Sequence, residues 1–587
     1  MKSAPLSLLD YRNTNSLWGS VLVETLFRLG VREAVISPGS RSTPLTMAFA
    51  RHAGFQSVPV LDERSAAFFA LGMAKQSRRP VVLLCTSGTA GANYFPTVIE
   101  AQESGVPLIV ITADRPPEMR ECRSGQTIDQ QKLFGAHVNF YHECAVPVAS
   151  VAMLRYLRQT VAHAVERTRW PVGGPVHLNA PFRDPLPPVE DGLAAPLRGQ
   201  FDEERFFAAL TKADAGASGG FGNSFTPTVR LGGRGVIVAG QDSPARPEEY
   251  ARAVGQLAAK LGWPVLADAL SPLRNYARLV PGLITTYDVL ARAESLRTSL
   301  RPDQVLCLSD WPTSKPLRQW LEASDIEITF VRPQGQNPDA LHGRTTWLRC
   351  PVESLGHVVR PGAKVRGWLA AWQRGERQAA AAILAGRKRI PGMFEGQASA
   401  LLPGILPPKT PLFVANSMPV RDLEYFWPAN DRAHAVHCNR GANGIDGTLS
   451  TALGLAQAAT QPAVLLTGDL AFLHDTNGLL SVPKFTGGLT VVLINNGGGG
   501  IFGHLPVAQF NPPFEEFFAT PQRVDFGKLC AAYGVEHRPV GDWRELGQLL
   551  KKLPKRGVRV LELRTDRAAD AAARKALFAR AAEAAAQ

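Results

Sequence analysis

Short apolar runs recur along this chain, and each closes in a polar loop before a helical stretch. Residues 81–86 run into the turn Ser87-Gly88-Thr89, and 108–112 run into Ala113-Asp114-Arg115-Pro116-Pro117. Residues 34–37 precede the loop 38–42, and 58–61 precede a helix at 65–75. A strand with one wet face alternates polar and apolar residues. Continuous Val, Ile and Leu instead mark strands covered on both faces, which is the signature of parallel sheets. The pattern predicts a doubly wound α/β architecture. Ligands then belong in the loops beyond the strands' carboxyl ends.

The same pattern returns twice. It returns at 235–240, 265–268, 304–309 and 326–332, and again at 412–415, 463–467, 490–495 and 558–563. A length of 587 residues allows three or four domains. The expected division is 1–190, 191–365 and 366–587. A proline-rich segment at 181–188 closes the first domain. A Gly/Ser-rich stretch at 213–235 reads as a flexible insertion in the second. A basic, Ala-rich helix near 367–389 leads into the third, and another Ala-rich helix ends the chain. The first and last domains share one logic, strands with polar loops at their ends.

Composition narrows the function classes. The net charge is +13, but the basic residues are dispersed, with short groupings such as Arg387-Lys388-Arg389. Dispersed arginines suit small acidic ligands better than a nucleic-acid backbone. The seven cysteines form no C-x-x-C, which fits a reduced intracellular chain. No apolar run approaches the roughly 18 residues of a membrane span. Residues 1–18 lack the apolar core of a signal peptide. The expected location is cytoplasmic, or stromal if a transit peptide has been trimmed away.

The third domain carries the most specific chemistry. Gly468-Asp469-Leu470 ends one apolar run, and Asn495-Asn496-Gly497-Gly498 ends the next. A crossover helix between them would set the two strand ends side by side. A carboxylate, an amide oxygen and a backbone carbonyl then make half an octahedron. Mg²⁺ takes few protein ligands and completes its shell with phosphate oxygens and water. The glycines at 497–500 let the backbone approach a diphosphate closely. Either half of the motif alone is a common turn; the pair at this spacing is the informative feature.

That pair resembles the signature of thiamine-diphosphate-dependent enzymes. The resemblance implies Asp469, Asn496 and the Gly498 carbonyl as ligands of Mg²⁺, with Mn²⁺ a possible substitute. Leu470 stands where many members have Gly. The family also uses a glutamate from its first domain at the cofactor's N1′. Glu63, in Leu61-Asp62-Glu63-Arg64, matches that position, although acidic residues also favour a helix's first turn for dipole reasons alone.

Further segments resemble one branch, the 2-succinyl-5-enolpyruvyl-6-hydroxy-3-cyclohexene-1-carboxylate synthases of menaquinone biosynthesis. They are the run Ser37 to Pro44, the run Thr112 to Glu118, Asn416-Ser417 with Arg421, and the run Asn439 to Gly447. The middle third matches loosely, chiefly at Ser314-Lys315. This branch decarboxylates 2-oxoglutarate and adds the succinyl carbanion equivalent to isochorismate. Both substrates are dicarboxylates, for which arginine's planar fork is suited. The resemblance implies Ser40, Arg41, Arg115, Gln126, Lys315, Arg421 and Arg440 at the substrates. It implies Ser417, Ile445, Leu470 and Ile501 beside the cofactor, and Phe502 and Leu505 lining the pocket. It also implies a homodimer, or a dimer of dimers, with sites shared between subunits.

Three alternatives remain open on sequence alone. One is another thiamine enzyme of 2-oxo acids, acetolactate-synthase-like or decarboxylase-like. Residues 235–242 offer no G-x-G-x-x-G, so no flavin is expected. The others are a basic nucleic-acid binder and a thiamine fold kept as an inactive scaffold.

Overall fold

The computed structural model describes residues 9–208, 210, 228–333 and 337–587. Six strands build the first sheet: β1 (Glu33–Ile36), β2 (Gln56–Pro59), β3 (Val81–Cys85), β4 (Leu108–Asp114), β5 (Phe140–Glu143) and β6 (Pro175–Pro181). Their order is β2-β1-β3-β4-β6-β5, with parallel pairing throughout. β3, β4 and β6 are buried along their whole lengths, which is why they read as unbroken apolar runs.

β7 (Val229–Gly233) stands before the second sheet. That sheet holds β8 (Gly235–Ala239), β9 (Val265–Ala267), β10 (Leu283–Ile284), β11 (Gln304–Leu308), β12 (Glu327–Val331) and β13 (Arg344–Leu348). Its order is β10-β9-β8-β11-β12-β13, and β14 (Val359–Lys364) pairs with β7. Most of the expected 213–235 insertion lies outside the described residues. Its end does not form a loop, because Val229–Gly233 is β7.

The third sheet holds β15 (Leu412–Val414), β16 (Val436–His437), β17 (Ala463–Gly468), β18 (Gly488–Asn495), β19 (Glu536–Val540) and β20 (Gly557–Arg564). Its order is β16-β15-β17-β18-β20-β19. Numbered within the sheet, this is the same winding as the first sheet. The shared logic of the first and last thirds is therefore a shared topology. All three sheets are doubly wound α/β.

Two local expectations are corrected. The strand placed at 58–61 is Gln56–Pro59, and Leu61 is 64% exposed in the loop beyond it. The crossover between β17 and β18 is not one helix. It is a short helix, Asp469–Leu473, followed by 3₁₀ turns over Thr476–Lys484. Pro483 lacks the N–H that a regular helix needs there.

The described residues fall into two compact units. One gathers those of 1–217, 439–460 and 474–488; the other gathers those of 218–438, 461–473 and 489–587. In the first unit the helices Glu63–Ser77 and Thr448–Ala458 pack together, and the Ser65 and Ser450 hydroxyls both donate to the buried carboxylate of Asp475. The second unit is built around two apolar cores, one under β8–β13 and one under β15–β20.

Candidate active site

β17 and β18 pair in parallel with Gly468 opposite Ile494, so Asp469 and Asn496 leave adjacent strands at the same end. Asp469 is 6% exposed. Its Oδ1 accepts from Leu470 N at 2.7 Å, and its Oδ2 accepts from Gly498 N at 2.8 Å. Burial raises its carboxyl above the usual range, against those backbone donors. Gly498 has φ 131°, and a Cβ there would stand 2.3 Å from the Ala519 carbonyl. Only glycine fits the turn that folds back over Asp469.

Asn496 donates from Nδ2 to Glu395 Oε2 at 2.8 Å. Its Oδ1 is buried without a hydrogen-bond partner. A buried, orphaned amide oxygen beside a buried carboxylate is a fit for a bound cation. The donor set of carboxylate, amide oxygen and Gly498 carbonyl is all oxygen, as Mg²⁺ prefers. Among the described residues no group of three or more His, Cys, Asp or Glu could hold a metal.

Behind Asn496 stands a buried ion cluster that sequence reading missed. Arg574, on the helix Arg567–Ala586, donates to Glu395 Oε1 at 2.7 Å and to both oxygens of Asp422 at 2.9 Å. Burial pushes Asp422 up to about 8 and Asp570 up to about 7. Burial pulls the Arg574 guanidinium down, but Asp422 and Glu395 more than offset this. Arg574 is the guanidinium that Glu395 and Asp422 share. A signal was present in the sequence. Arg574 shares a helical face with Leu577, Phe578 and Ala581, all buried, in an otherwise Ala-rich helix.

Ser417 follows β15 with φ 70°, a left-handed conformation that is costly for a residue with a Cβ. Its carbonyl accepts from Arg421 Nη1 at 2.7 Å. Lys315 is exposed at the first position of the helix Lys315–Glu322. Ser314 caps that helix and donates to Asp288 at 2.6 Å, and Arg292 pairs with the same carboxylate at 2.8 Å. Burial raises the Tyr425 phenol, and Asp288, Arg292 and Arg421 all act on it electrostatically. Tyr425 thus links the surroundings of Lys315 to those of Arg421. Ile501 and Phe502 are half-buried on the turn Gly500–His504, and Leu505 is 45% exposed just beyond it.

In the other unit, four sequence-identified residues stand beside the loops after β1, β3 and β4. Arg41 is buried; its backbone N–H donates to Thr86 Oγ1 at 3.3 Å and its Nη1 donates to the Phe182 carbonyl at 3.0 Å. Gly39 permits this approach, since a Cβ would meet the Thr86 Cβ at 2.2 Å. Ser40 is exposed beside them. Arg115 donates to the Ser87 hydroxyl, and Gln126 Nε2 donates to the Ser87 carbonyl at 3.0 Å. Burial lowers the Arg115 guanidinium, and the charge of Arg41 lowers it further. Arg41 also stands 3.9 Å from Asp184, whose charge acts on Arg115 in the opposite sense. Ser87, which organises Arg115 and Gln126, had been read only as part of a turn.

Glu63 is the first residue of its helix, but Asp62 provides the cap, accepting from Ser65 N at 2.9 Å. Capping therefore does not account for Glu63. Its flanking residues are both anchored: Asp62 accepts from Asn477 at 2.8 Å, and Arg64 donates to the His474 carbonyl at 2.8 Å. Among the described residues the Glu63 carboxylate itself makes no hydrogen bond or ion pair. Arg440 and Ile445 lie on the loop before the helix Thr448–Ala458. The Glu100 carboxylate, 3% exposed, fixes that loop by accepting from Gly441 N at 3.1 Å and Ala442 N at 2.7 Å.

Comparison with known proteins bears on this arrangement. Residues 18–133 match the thiamine pyrophosphate enzyme N-terminal TPP binding domain, and 228–414 match the middle domain of thiamine pyrophosphate enzymes. Residues 420–563 match the C-terminal TPP binding domain. The 2-succinyl-5-enolpyruvyl-6-hydroxy-3-cyclohexene-1-carboxylate synthase of Trichormus variabilis is 53% identical over 96% of this chain and 97% of its own. Those of Synechococcus sp. (strain JA-3-3Ab) and Rippkaea orientalis are 53% identical over 98% of both chains and 50% identical over 96% of both. The chain belongs to this synthase family. It is a thiamine-diphosphate-dependent transferase of menaquinone biosynthesis. All seven cysteines are free, and no helix among the described residues is long and apolar enough to cross a membrane.

Proposed function

We propose that this chain joins 2-oxoglutarate, with loss of carbon dioxide, to isochorismate, giving 2-succinyl-5-enolpyruvyl-6-hydroxy-3-cyclohexene-1-carboxylate. The observation that carries the site assignment is the orphaned Oδ1 of Asn496 beside Asp469 and Gly498. These three residues would hold Mg²⁺, and through it the cofactor's diphosphate. Ser417, Ile445, Leu470 and Ile501 would stand beside the cofactor, with Ile445 as its apolar prop. When bound, thiamine diphosphate supplies a nucleophilic carbon and a ring that accepts an electron pair.

The remaining roles belong to the chain. Glu63 would share a proton with the cofactor's N1′; that its carboxylate makes no hydrogen bond or ion pair among the described residues supports that role. Arg41, Arg115, Arg421, Arg440 and Lys315 bind substrate carboxylates, while Ser40 and Gln126 donate hydrogen bonds to them. Phe502 and Leu505 exclude water from the reacting carbon. The cations held around Ser87 and beside Ser417 favour dicarboxylates over the monocarboxylate pyruvate, which weighs against an acetolactate-like activity. The division into 1–190, 191–365 and 366–587 is part of the same reading.

We also propose a homodimer with shared sites, and a cytoplasmic location. The stretch after Gly498 exposes Leu505, Phe510, Phe517, Phe518 and Val524, an apolar surface suited to cover by a second subunit. The test of the reaction is product analysis. Enzyme is supplied with Mg²⁺, thiamine diphosphate and isochorismate, and with either 2-oxoglutarate or pyruvate. The succinyl adduct should form from 2-oxoglutarate alone. Equal turnover of pyruvate would transfer the assignment to the acetolactate-like class.

A further inference from the structure

An asparagine amide can bind a cation through only one of its two ends. Its Oδ1 is an acceptor and its NH₂ is a donor, and a half-turn of the side chain exchanges them. Something must therefore fix the amide of Asn496 if its oxygen is to face a metal. We propose that Glu395 is that positioning residue, and that Arg574 on the C-terminal helix holds Glu395 in place. This inference rests on the metal placement proposed above and adds a second layer to it.

Nδ2 of Asn496 donates to Glu395 Oε2 at 2.8 Å. The other oxygen, Oε1, accepts from Arg574 Nη2 at 2.7 Å. An ion-paired carboxylate offers only acceptors. Turning the Asn496 amide over would set Oδ1 against Oε2, oxygen against oxygen, and aim an NH₂ at the metal position. The wrong orientation is thus penalised at both ends of the amide, at Glu395 and at the metal position. Its own position is fixed in turn, because Arg574 grips both oxygens of Asp422 at 2.9 Å. Glu395, Arg574 and Asp422 are 4%, 2% and 3% exposed, so water does not compete for these bonds. The outcome is the one observed, an Asn496 Oδ1 that is buried and unpartnered. The helix Arg567–Ala586, far along the chain from the Asp469 motif, is by this route part of the cofactor site.

The test separates orientation from mere packing by exchanging the two partners. Glu395→Gln offers an NH₂ that can pair with Oδ1 and turn the amide over. Mg²⁺-dependent binding of thiamine diphosphate, measured by calorimetry, should weaken 10–100-fold, the range expected for groups that orient a ligand. Asn496→Asp alone sets two carboxylates against each other and should also bind poorly. Combining the two restores a donor–acceptor pair with the wild-type total charge. The double variant should bind the metal and cofactor more tightly than either single variant. The inference is overturned if Glu395→Gln stays within twofold of wild type, or if the double variant is no better than the tighter-binding single. Asp469→Asn is the control. If it too binds normally, the metal site itself is misplaced; if it fails while Glu395→Gln binds normally, only the role of Glu395 is lost.

Discussion

Arg421 donates from Nη1 to the Ser417 carbonyl at 2.7 Å, at a residue held with φ 70°. The guanidinium therefore stands at the loop after β15. Arg421→Ala and Arg440→Ala should each cost about 2–5 kcal/mol in kcat/KM, as expected when one side of a charge-assisted pair is lost. Affinity for thiamine diphosphate should stay near wild type. Steady-state kinetics and calorimetry read the two effects separately. A collapse of cofactor affinity with unchanged kinetics at saturating cofactor would move these arginines out of the substrate site.

Glu63 is anchored on both sides through Asp62 and Arg64, while its own carboxylate stays free of hydrogen bonds among the described residues. Glu63→Gln keeps the shape but cannot take up the proton. Turnover should fall toward the upper end of about 10²–10⁴-fold, with cofactor binding retained. Near-normal turnover would place the activating carboxylate elsewhere.

Subunit sharing of the site makes a prediction about mixed dimers. Glu63→Gln and Asp469→Asn chains are co-expressed with different tags, and the hybrid is purified. With shared sites, one site collects both lesions and the other is intact, so about half of the activity returns. With each site inside one chain, every site carries a lesion and the hybrid is dead.

Acid should destabilise the first unit through His177. Burial pushes its imidazole down to about 3, and it is 0% exposed beside Thr112. An unfolded histidine takes a proton near 6.5. The folded state resists that proton, so stability is complete above about pH 6.5 and is lost as pH falls from there toward 3. The slope from this group is about 1.4 kcal/mol per pH unit. His177→Gln removes the titration, so its stability should fall less between pH 7 and pH 5 in denaturant unfolding. An identical pH dependence in the two proteins would discount this histidine.

The parallel sheets were legible in the sequence because buried parallel strands leave unbroken apolar runs. β3, β4, β17 and β18 show this directly. Strands such as β5, with Phe140–Glu143 half-buried, and the two-residue β16 carry no such run and were not seen. The placement of Asp469 and Asn496 side by side was legible because both residues follow adjacent parallel strands joined by one crossover. Ser87, Glu100, Glu395 and Arg574 were not assigned. Each acts through a partner distant in sequence, and a buried charge satisfied by long-range contacts leaves no local pattern. The length of the crossover suits one helix, and Pro483 is a residue that a regular helix there would not accommodate.

Asp469, Asn496 and Gly498 are proposed to hold the cofactor through Mg²⁺. The most direct measurement is calorimetric titration of thiamine diphosphate into wild-type and Asp469→Asn protein at moderate Mg²⁺, with circular dichroism to confirm that both are folded. The expected result is Mg²⁺-dependent binding to the wild type and none measurable to the variant. Equal affinity in both proteins, or wild-type binding indifferent to Mg²⁺, would contradict it.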